Sequence, residues 1–391
     1  MQNNISLVSA ICTGCGSCLN ICPNNAITFK VNKKGFEYPI INSSKCTNCG
    51  LCVKSCHLLN KNDEYFINSF ISKSSDIEER KKSQSGALFF EIAKKFIEDG
   101  GVVFGCKYEN LRVFHNVAKN LDDLQLMRGS KYVESTTKAI FYCIFNHLEK
   151  GTKVLFSGTP CQCAGILQFI KIKNPSLLKN LYTLALICHG VPSALIWNEC
   201  LKYYENRNRS KVKNFIFRDN NYGYGTHYET IFFEDGKIIK DEIYKLLFYS
   251  NLVLRESCYS CKYCSVKRPF DITIGDCLGD QQSLSDFKDH KNGGTSLVLI
   301  HSKKGLKLFD GLNKCGKVKS REVEIGSVMQ PNLKQSVKRS KKVDKFWEKY
   351  EKNGFERSIF YAIKTKTFRK INGFILRVNN KIKRLLISLK H

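Results

Sequence analysis

The chain has 391 residues, of which 42% are hydrophobic and 12% aromatic, a composition typical of a protein with two or three folded domains rather than a disordered one. Its formal charge is +28, and half of that excess lies in residues 334–391, which hold 18 Lys and Arg against 4 Asp and Glu, a net +14. No uninterrupted apolar run of about 18 residues is present and the N-terminus lacks a charged export segment, so we expect a cytoplasmic protein. Its 19 cysteines are expected to bind metal or take part in chemistry rather than to form disulfides.

Two near-identical cysteine runs, CTGCGSCLNICP and CTNCGLCVKSCH, occupy residues 12–23 and 46–57. Their spacing is that of bacterial 4Fe–4S ferredoxins, in which three thiolates hold one cubane and the fourth thiolate of each run reaches the other cluster. Paired zinc sites are the alternative. We therefore predict two 4Fe–4S clusters, the first held by Cys12, Cys15, Cys18 and Cys56, and the second by Cys46, Cys49, Cys52 and Cys22.

Residues 26–42, between the two runs, alternate in polarity and predict a short hairpin, so the ferredoxin domain is expected to span residues 1–60. Residues 61–82 are polar and predict a linker. A helix capped by Ser85 follows, and after it strands such as KVLFSG and LYTLALIC alternate with helices. This order predicts an α+β chain: a bacterial-ferredoxin-like domain, then a larger α/β domain with a mostly parallel central sheet.

Further cysteines fall at the predicted edge of that sheet. Cys161 follows strand KVLFSG and Cys188 ends strand LYTLALIC, so both should lie at the carboxyl edge, where open α/β sheets bind ligands. Cys258, Cys261 and Cys264 form a C-x-x-C-x-x-C group before strand DITIGD. These residues could form a third 4Fe–4S site, and zinc at the C-x-x-C-x-x-C group is the alternative. Cys106, Cys143 and Cys200 are predicted to be core residues.

The GTPCQ turn, the later C-x-x-C with DITIGD behind it, GGVVFG and RGSKYVES together resemble the coenzyme F420 hydrogenase/dehydrogenase beta subunit family over about residues 5–330. Some relatives in that family lie in polysaccharide gene clusters, and some carry an N-terminal two-cluster ferredoxin. The resemblance implies that residues 83–330 bind FAD beside a third 4Fe–4S cluster held by Cys161, Cys188, Cys258 and Cys261. Cys264 and Cys277 are alternatives for its fourth ligand.

The resemblance also implies an iron–sulfur flavin-dependent oxidoreductase that passes electrons between ferredoxin, or a partner subunit, and a two-electron acceptor such as a deazaflavin or another metabolite. A link to surface polysaccharide synthesis is one expectation, and no catalytic side chain can be named. The alternative is a non-enzymatic electron-transfer subunit of a larger redox complex. Turns at helix starts suit the flavin pyrophosphate, and the candidates are Ser83, Ser85, Gly86, Arg128, Gly129, Ser130, Lys131, Tyr132, Gly158 and Thr159.

Residues 331–391 are predicted to form a basic helical tail. Its last part, from Phe368 to Leu389, repeats apolar residues at steps of three and four, as on one face of an amphipathic helix. Such a helix suits an anionic membrane surface, which would place the protein peripherally on the inner face of the membrane, or it packs against its own protein or a partner. A nucleic-acid partner is not expected, because no nucleic-acid-binding motif accompanies the charge.

Overall fold

The structure is a computed structural model that describes residues 3–8, 11–60, 63–223, 225–278, 287 and 293–362. Within these residues the strands are β1 (Ile27–Val31), β2 (Glu37–Ile41), β3 (Asn68–Ser74), β4 (Val102–Glu109), β5 (Arg112–Ala118), β6 (Val154–Gly158), β7 (Leu181–Leu186), β8 (Val212–Ile216), β9 (Glu229–Phe233), β10 (Ile238–Asp241), β11 (Ile272–Asp276), β12 (Ser296–Ile300) and β13 (Val318–Glu322).

The helices of the same described residues are α1 (Ser17–Ile21), α2 (Leu51–Lys54), α3 (Ile77–Lys81), α4 (Leu88–Glu98), α5 (Leu121–Gln125), α6 (Phe141–Glu149), α7 (Pro160–Lys173), α8 (Ala194–Asn208), α9 (Ile243–Tyr249), α10 (Lys303–Lys314), α11 (Pro331–Lys334) and α12 (Val343–Ala362).

The N-terminal unit is a hairpin with two short helices. β1 and β2 pair antiparallel, and α1 and α2 each begin after a glycine in the left-handed region, Gly16 at φ 87° and Gly50 at φ 75°. An L side chain is strained there, so glycine allows each cysteine loop to turn sharply into its helix. The third cysteine of each run, Cys18 or Cys52, then lies in the first helical turn.

The body of the chain is built on an eight-stranded mixed sheet with the order β13-β3-β12-β11-β7-β6-β4-β5. Its central strands β4, β6, β7 and β11 are parallel neighbours, as the alternation of strands and helices predicts, and antiparallel strands flank them. The carboxyl ends of β6, β7 and β11 therefore meet at one edge, and Cys161, Cys188 and Asp276 lie at or just beyond those ends.

Both faces of this sheet are covered. The N-terminal unit packs with α6 and α7 on one face, where Phe141, Phe156 and Phe169 are fully buried. On the other face α4 and α10 cover the sheet through residues such as Ile92 and Phe309. A separate three-stranded sheet, β10-β9-β8, shares a third apolar cluster with α8, α9 and α12.

The prediction of a linker over residues 61–82 is wrong, because this segment contains β3 and α3. β3 lies inside the large sheet, between β12 and β13. Its buried face is made of serines as well as apolar residues: Ser72 bonds Ser320 Oγ at 2.7 Å and Ser74 donates to Glu91 at 2.6 Å. Burying a serine costs little free energy when its hydroxyl is hydrogen-bonded, but in the sequence these serines give the strand the polarity of a loop.

Two further expectations change in the body. Ser85 does not cap α4, since its hydroxyl donates to the carbonyl of Thr295 at 3.1 Å and Ala87 occupies the N-cap position in the left-handed region. The first part of the predicted tail packs on the body through α12, which is interrupted at Gly354 and buries Trp347 with its Nε1 donating to Leu252 O at 3.1 Å. The predicted amphipathic helix lies in 363–391, outside the described residues.

No helix in the described part of the chain is both long and apolar enough to cross a membrane.

Candidate functional site

Each predicted cysteine set of the N-terminal unit lines a small cavity of its own. Backbone amides also point at the sulfur atoms: Gly14 N lies 3.4 Å from Cys12 Sγ, and Ala26 N lies 3.4 Å from Cys22 Sγ. Such donors stabilise thiolate and cluster charge. The structure brings together Cys12, Cys15, Cys18 and Cys56 around one cavity, and Cys22, Cys46, Cys49 and Cys52 around the other.

A third cavity, at the carboxyl edge of the large sheet, is lined by five cysteines. Thr159 Oγ1 lies 3.2 Å from Cys161 Sγ, and the amide of Val191 donates to Cys258 Sγ at 3.3 Å. Cys264 shares this wall, so a choice among five ligands stays open, whereas Cys277 is not among the lining residues. The five cysteines are Cys161, Cys188, Cys258, Cys261 and Cys264.

Burial sets the protonation of these thiols. It raises the pKa of Cys161 to about 11 and that of Cys258 to about 12, and it raises the pKa of Cys188 well above its usual value. These three thiols are therefore protonated at neutral pH without metal, and iron that binds them must displace protons.

The N-terminal unit and the third cavity are in direct contact. Thr13, in the first cysteine loop, lines the first and third cavities. His57, which takes the place of a turn proline in the second run, shares one hydrogen bond with Thr13 Oγ1 at 3.0 Å and another with the hydroxyl of Tyr263 at 2.8 Å. Tyr263 lies between Cys261 and Cys264, so His57 joins the two cysteine groups rather than only completing a turn.

Arg255 joins the same regions through charge. Its side chain is only 1% exposed, donates to the carbonyls of Cys12 at 3.4 Å and Glu37 at 3.1 Å, and forms an ion pair with Glu134. Burial raises the pKa of Glu134, and the guanidinium opposes that shift. The backbone of Arg255 also accepts the amide of Cys258 at 2.9 Å, so one residue positions the Cys12 loop and the C-x-x-C-x-x-C segment together.

The largest cavity has a volume of about 270 Å³ and adjoins the third one through Cys161 and Val191, which line both. Thr13 lines it as well. Of the ten predicted flavin contacts, eight line this cavity: Ser83, Ser85, Arg128, Gly129, Ser130, Lys131, Gly158 and Thr159.

Gly86 and Tyr132 are not among the lining residues. Gly86 donates its amide to Ser296 Oγ at 2.9 Å, and a Cβ there would stand 2.4 Å from Ser72 O, so this glycine permits close packing against β3. The ring of Tyr132 stacks on Phe248 at 4.8 Å, within the apolar clusters beside the small sheet. The prediction that these two residues contact the flavin is not supported by their position.

Arg128 and Lys131 line the cavity, but most of their hydrogen-bond donors already have acceptors within the protein. Arg128 pairs with Glu79 and donates to Ser83 Oγ at 2.9 Å, while its Nε has no partner. Lys131 donates to three carbonyls at 2.8–2.9 Å, which closes the turn around Gly129. Their main effect is to hold the turn at residues 128–131 and the segment around Ser83 together near the N-terminus of α4.

Several lining residues could not be identified from local sequence, because they come from distant strands and turns. His115 Nε2 donates to Ser157 O at 3.1 Å, which leaves Nδ1 to accept from Ser135 Oγ at 2.7 Å. Asp276 pairs with Arg218 at 2.6 Å. Cys106, predicted to be a core residue, is half-buried on the same wall. The missed residues with polar side chains include Gln84, Cys106, His115, Glu134, Ser135, Gln162, Asp276 and Ser296.

The donor sets fit cubane clusters better than single ions. Within the described ranges, no three His, Cys, Asp or Glu side chains meet closely enough to share one metal ion. The thiolates of a cubane each bind a different iron, so its ligands stand farther apart than those of one zinc ion. The largest cavity fits a ligand with both donors and acceptors, since Gln84 Oε1 and Arg128 Nε on its wall have no hydrogen-bond partner.

Comparison with known proteins agrees with this arrangement. Residues 11–58 match the family model described as 4Fe-4S dicluster domain, and residues 151–325 match the model for the C terminus of the coenzyme F420 hydrogenase/dehydrogenase beta subunit. Residues 151–325 therefore form a C-terminal domain of the beta subunit type, behind a 4Fe–4S dicluster domain. The chain is thus an iron–sulfur redox protein related to these subunits, with a 4Fe–4S-binding N-terminal domain.

One curated relative is the coenzyme F420-dependent sulfite reductase of Methanocaldococcus jannaschii, 30% identical over 163 residues, which are 40% of this chain and 25% of the relative. The chain therefore spans about a quarter of that relative's length. Among solved structures, a chain of the F420-reducing [NiFe] hydrogenase complex from Methanosarcina barkeri is similar, with a TM-score of 0.48 and 17% identity, covering 78% of this chain and 94% of that one.

Proposed function

We propose that this protein is an iron–sulfur flavoprotein oxidoreductase that carries electrons between a one-electron partner, either ferredoxin or a partner subunit, and a small two-electron acceptor. It would bind three 4Fe–4S clusters and FAD. The match of residues 151–325 to the C-terminal domain of the beta subunit supports an oxidoreductase that works with redox partners, and the F420-dependent relative supports a two-electron acceptor of the deazaflavin kind.

One observation carries the proposal: the four cavities lie in series. Among the described residues the first and second cavities share no lining residue, but Cys18 of the first and Cys52 of the second are close enough to interact electrostatically. Thr13 lines the first, third and largest cavities, and Cys161 lines the last two. Iron–sulfur centres change by one electron, whereas a flavin exchanges one or two and so would couple them to a two-electron acceptor.

The residues of the chain have three tasks in this scheme. The cysteines would hold the clusters, and the amides of Gly14, Ala26 and Val191 stabilise sulfur charge. The start of α7 carries the positive end of the helix dipole, which would favour an anionic group such as a pyrophosphate, although the capping box between Thr159 and Gln162 occupies two backbone amides there and Pro160 has none. Gly158 keeps that turn open, because a Cβ there would stand 3.0 Å from Gln162 Oε1 and 3.2 Å from His115 Nε2.

The identity of the acceptor and the cellular setting belong to the same proposal. Candidate acceptors are a deazaflavin coenzyme, a sugar intermediate of surface polysaccharide and another oxidised metabolite. The protein is proposed to act in the cytoplasm, and the basic segment 363–391 to hold it at the inner face of the membrane, with its net positive charge attracted to anionic lipid.

Air-free purification followed by metal and flavin analysis tests the central claim. We expect about twelve irons per chain, the sum of three four-iron clusters, with one bound flavin. Eight irons without flavin would favour a non-enzymatic electron-transfer subunit, and zinc without iron would refute both readings.

Two cysteine variants, one at the third cavity and one as a control, make that experiment more specific. Cys258→Ser should lose about four irons, since Cys258 lies on the third cavity, whereas Cys315→Ser should lose none, because Cys315 is exposed after α10. Anaerobic reoxidation of the reduced protein by a panel of acceptors would then identify the substrate class.

A further inference from the structure

The N-terminal unit is almost free of acidic residues. Residues 1–60 contain five lysines and one acidic residue, Glu37, and Glu37 pairs with Lys138 of the body. The next acidic residues along the chain, Asp63 and Glu64, lie at the junction with the body. The charge of Glu64 there opposes the fall that burial causes in the pKa of Lys262. The outer side of the unit therefore carries positive charge without compensation from its own sequence.

The five lysines divide into two groups. Lys33 faces the body, with its Nζ 3.8 Å from Glu351, and Lys34 lies over the ring of Trp347 at 6.0 Å. Lys30, Lys45 and Lys54 are exposed, and none of them makes an ion pair within the described part of the chain. These three charges are available to a partner.

Two of the three exposed lysines accompany the cysteine set nearest to solvent. Cys49 is the exposed member of the eight N-terminal cysteines. Lys45 directly precedes Cys46, and Lys54 lies two residues after Cys52. The side chains around this cavity are otherwise uncharged, among them Asn24, Thr47 and Asn48.

An exposed apolar residue lies in the N-terminal segment that covers the same cavity. Asn3 and Asn4 line the cavity, and Leu7, three residues later, is 62% exposed. Protein interfaces combine an apolar centre with a polar rim, and a rim of one sign steers a partner of the opposite sign. Electron transfer slows steeply with distance, so the solvent-near cysteine set is where an external carrier can exchange electrons.

We propose that Lys45 and Lys54 beside the Cys49 set, with Lys30 on the strand whose first residue, Ile27, lines the same cavity, form a docking surface for a small acidic one-electron carrier protein. This uptake surface rests on the proposed function, and it adds the side of entry for electrons and the charge of the partner. The carrier gives up one electron per encounter to the nearest cluster and leaves in its oxidised form. Complementary charge raises the rate of encounter, and salt screens it.

The test compares two charge-reversal variants that change the net charge equally. Lys30→Glu/Lys45→Glu/Lys54→Glu alters the uptake surface, and Lys213→Glu/Lys307→Glu/Lys314→Glu alters three exposed lysines of the body. Binding of an oxidised acidic 4Fe–4S ferredoxin to each oxidised protein is measured by calorimetry at low and high salt, so that no electron transfer contributes to the signal.

We expect the uptake-surface variant to raise Kd about 10- to 100-fold at low salt, since each reversal replaces an attraction by a repulsion, and the body variant to raise it less than about threefold. High salt should remove most of the difference. Equal losses in both variants, or no loss in either, would overturn the proposal, because net charge or another surface would then govern binding.

Two further measurements separate this proposal from neighbouring ones. Anionic vesicles and duplex DNA serve as competitors, and either one binding as tightly as the ferredoxin, with the same loss in the uptake-surface variant, would overturn a protein-specific site. Reduction by methyl viologen reports on the clusters without docking. If it is normal in wild type while the acidic ferredoxin does not bind, the uptake surface is refuted and the proposed function stands. If the wild-type protein holds no iron, the proposed function itself fails.

Discussion

Arg255 offers the sharpest test of how the N-terminal unit is fixed to the body. Replacing it with Met keeps an unbranched side chain over Phe36 and Tyr38, whose rings lie 4.9 and 5.1 Å from the guanidinium carbon. The substitution removes the charge that pairs with Glu134 and the donors to two backbone carbonyls.

The expected loss follows from these contacts. A buried ion pair broken at one partner costs about 3–5 kcal/mol, because the other charge stays uncompensated. The two carbonyls lose hydrogen bonds worth about 1 kcal/mol each. Arg255→Met should therefore lower the free energy of unfolding by about 5–7 kcal/mol. Arg255→Met/Glu134→Gln, which removes both charges, should lose only about 2 kcal/mol.

Guanidinium unfolding under air-free conditions, followed by circular dichroism and by cluster absorption, measures the ranking. A lower midpoint at unchanged slope reports a change in stability alone. The order should be wild type, then the double variant, then Arg255→Met. If Arg255→Met unfolds at the wild-type midpoint, or if the double variant is no more stable than the single one, the ion pair does not hold the two units together.

Three further outcomes are expected. Gly165→Ala should disturb the first cysteine set and lower the iron content, because its Cβ would stand 2.9 Å from Cys15 Sγ. The control Gly311→Ala, with nothing within 4 Å, should keep its iron and stabilise α10 by about 0.5–1 kcal/mol. Equal iron content in both variants would contradict this placement. Burial lowers the pKa of His115 to about 4, below its unfolded value of 6.5. The stability that the neutral imidazole provides above pH 6.5, about 3 kcal/mol, is therefore lost as the pH falls toward 4. His115→Gln should flatten that part of the curve of stability against pH, and an unchanged curve would argue against a neutral buried imidazole. Trp347→Ala should cost about 3–5 kcal/mol by releasing α12 from the small sheet, read as a lower thermal midpoint, and a loss below 1 kcal/mol would mean that α12 is not anchored there.

The sequence predicts best where chemistry sets the spacing. The two cysteine runs predict the iron–sulfur domain, and the dicluster match confirms that domain. The ligand sets stay predictions, although the structure gathers each of them around one cavity. The parallel core is predictable as well, because β4, β6 and β7 are short apolar strands that alternate with helices.

Features that depend on distant partners are not predictable from local pattern. β3 is hidden because its serines find partners such as Ser320 and Glu91, which are remote in the sequence. The wall of the largest cavity includes His115 on β5 and Asp276 on β11, each an ordinary polar residue on a strand until the fold brings both to one cavity. Arg255 likewise carries no local signal, since Glu134 and the Cys12 loop meet it only in the fold.

The position of β3 has a consequence for how the protein is made. Its neighbours β12 and β13 are more than 200 residues later in the chain, so at about 5–20 residues per second β3 waits roughly 10–45 s for its first partner after it has been synthesised. The cysteine runs that precede it are complete before then. Iron can therefore reach the N-terminal cysteines before the body closes around them, and if loading occurs at that stage, a ribosome-bound chain halted before β12 should already hold iron while its body is still sensitive to protease.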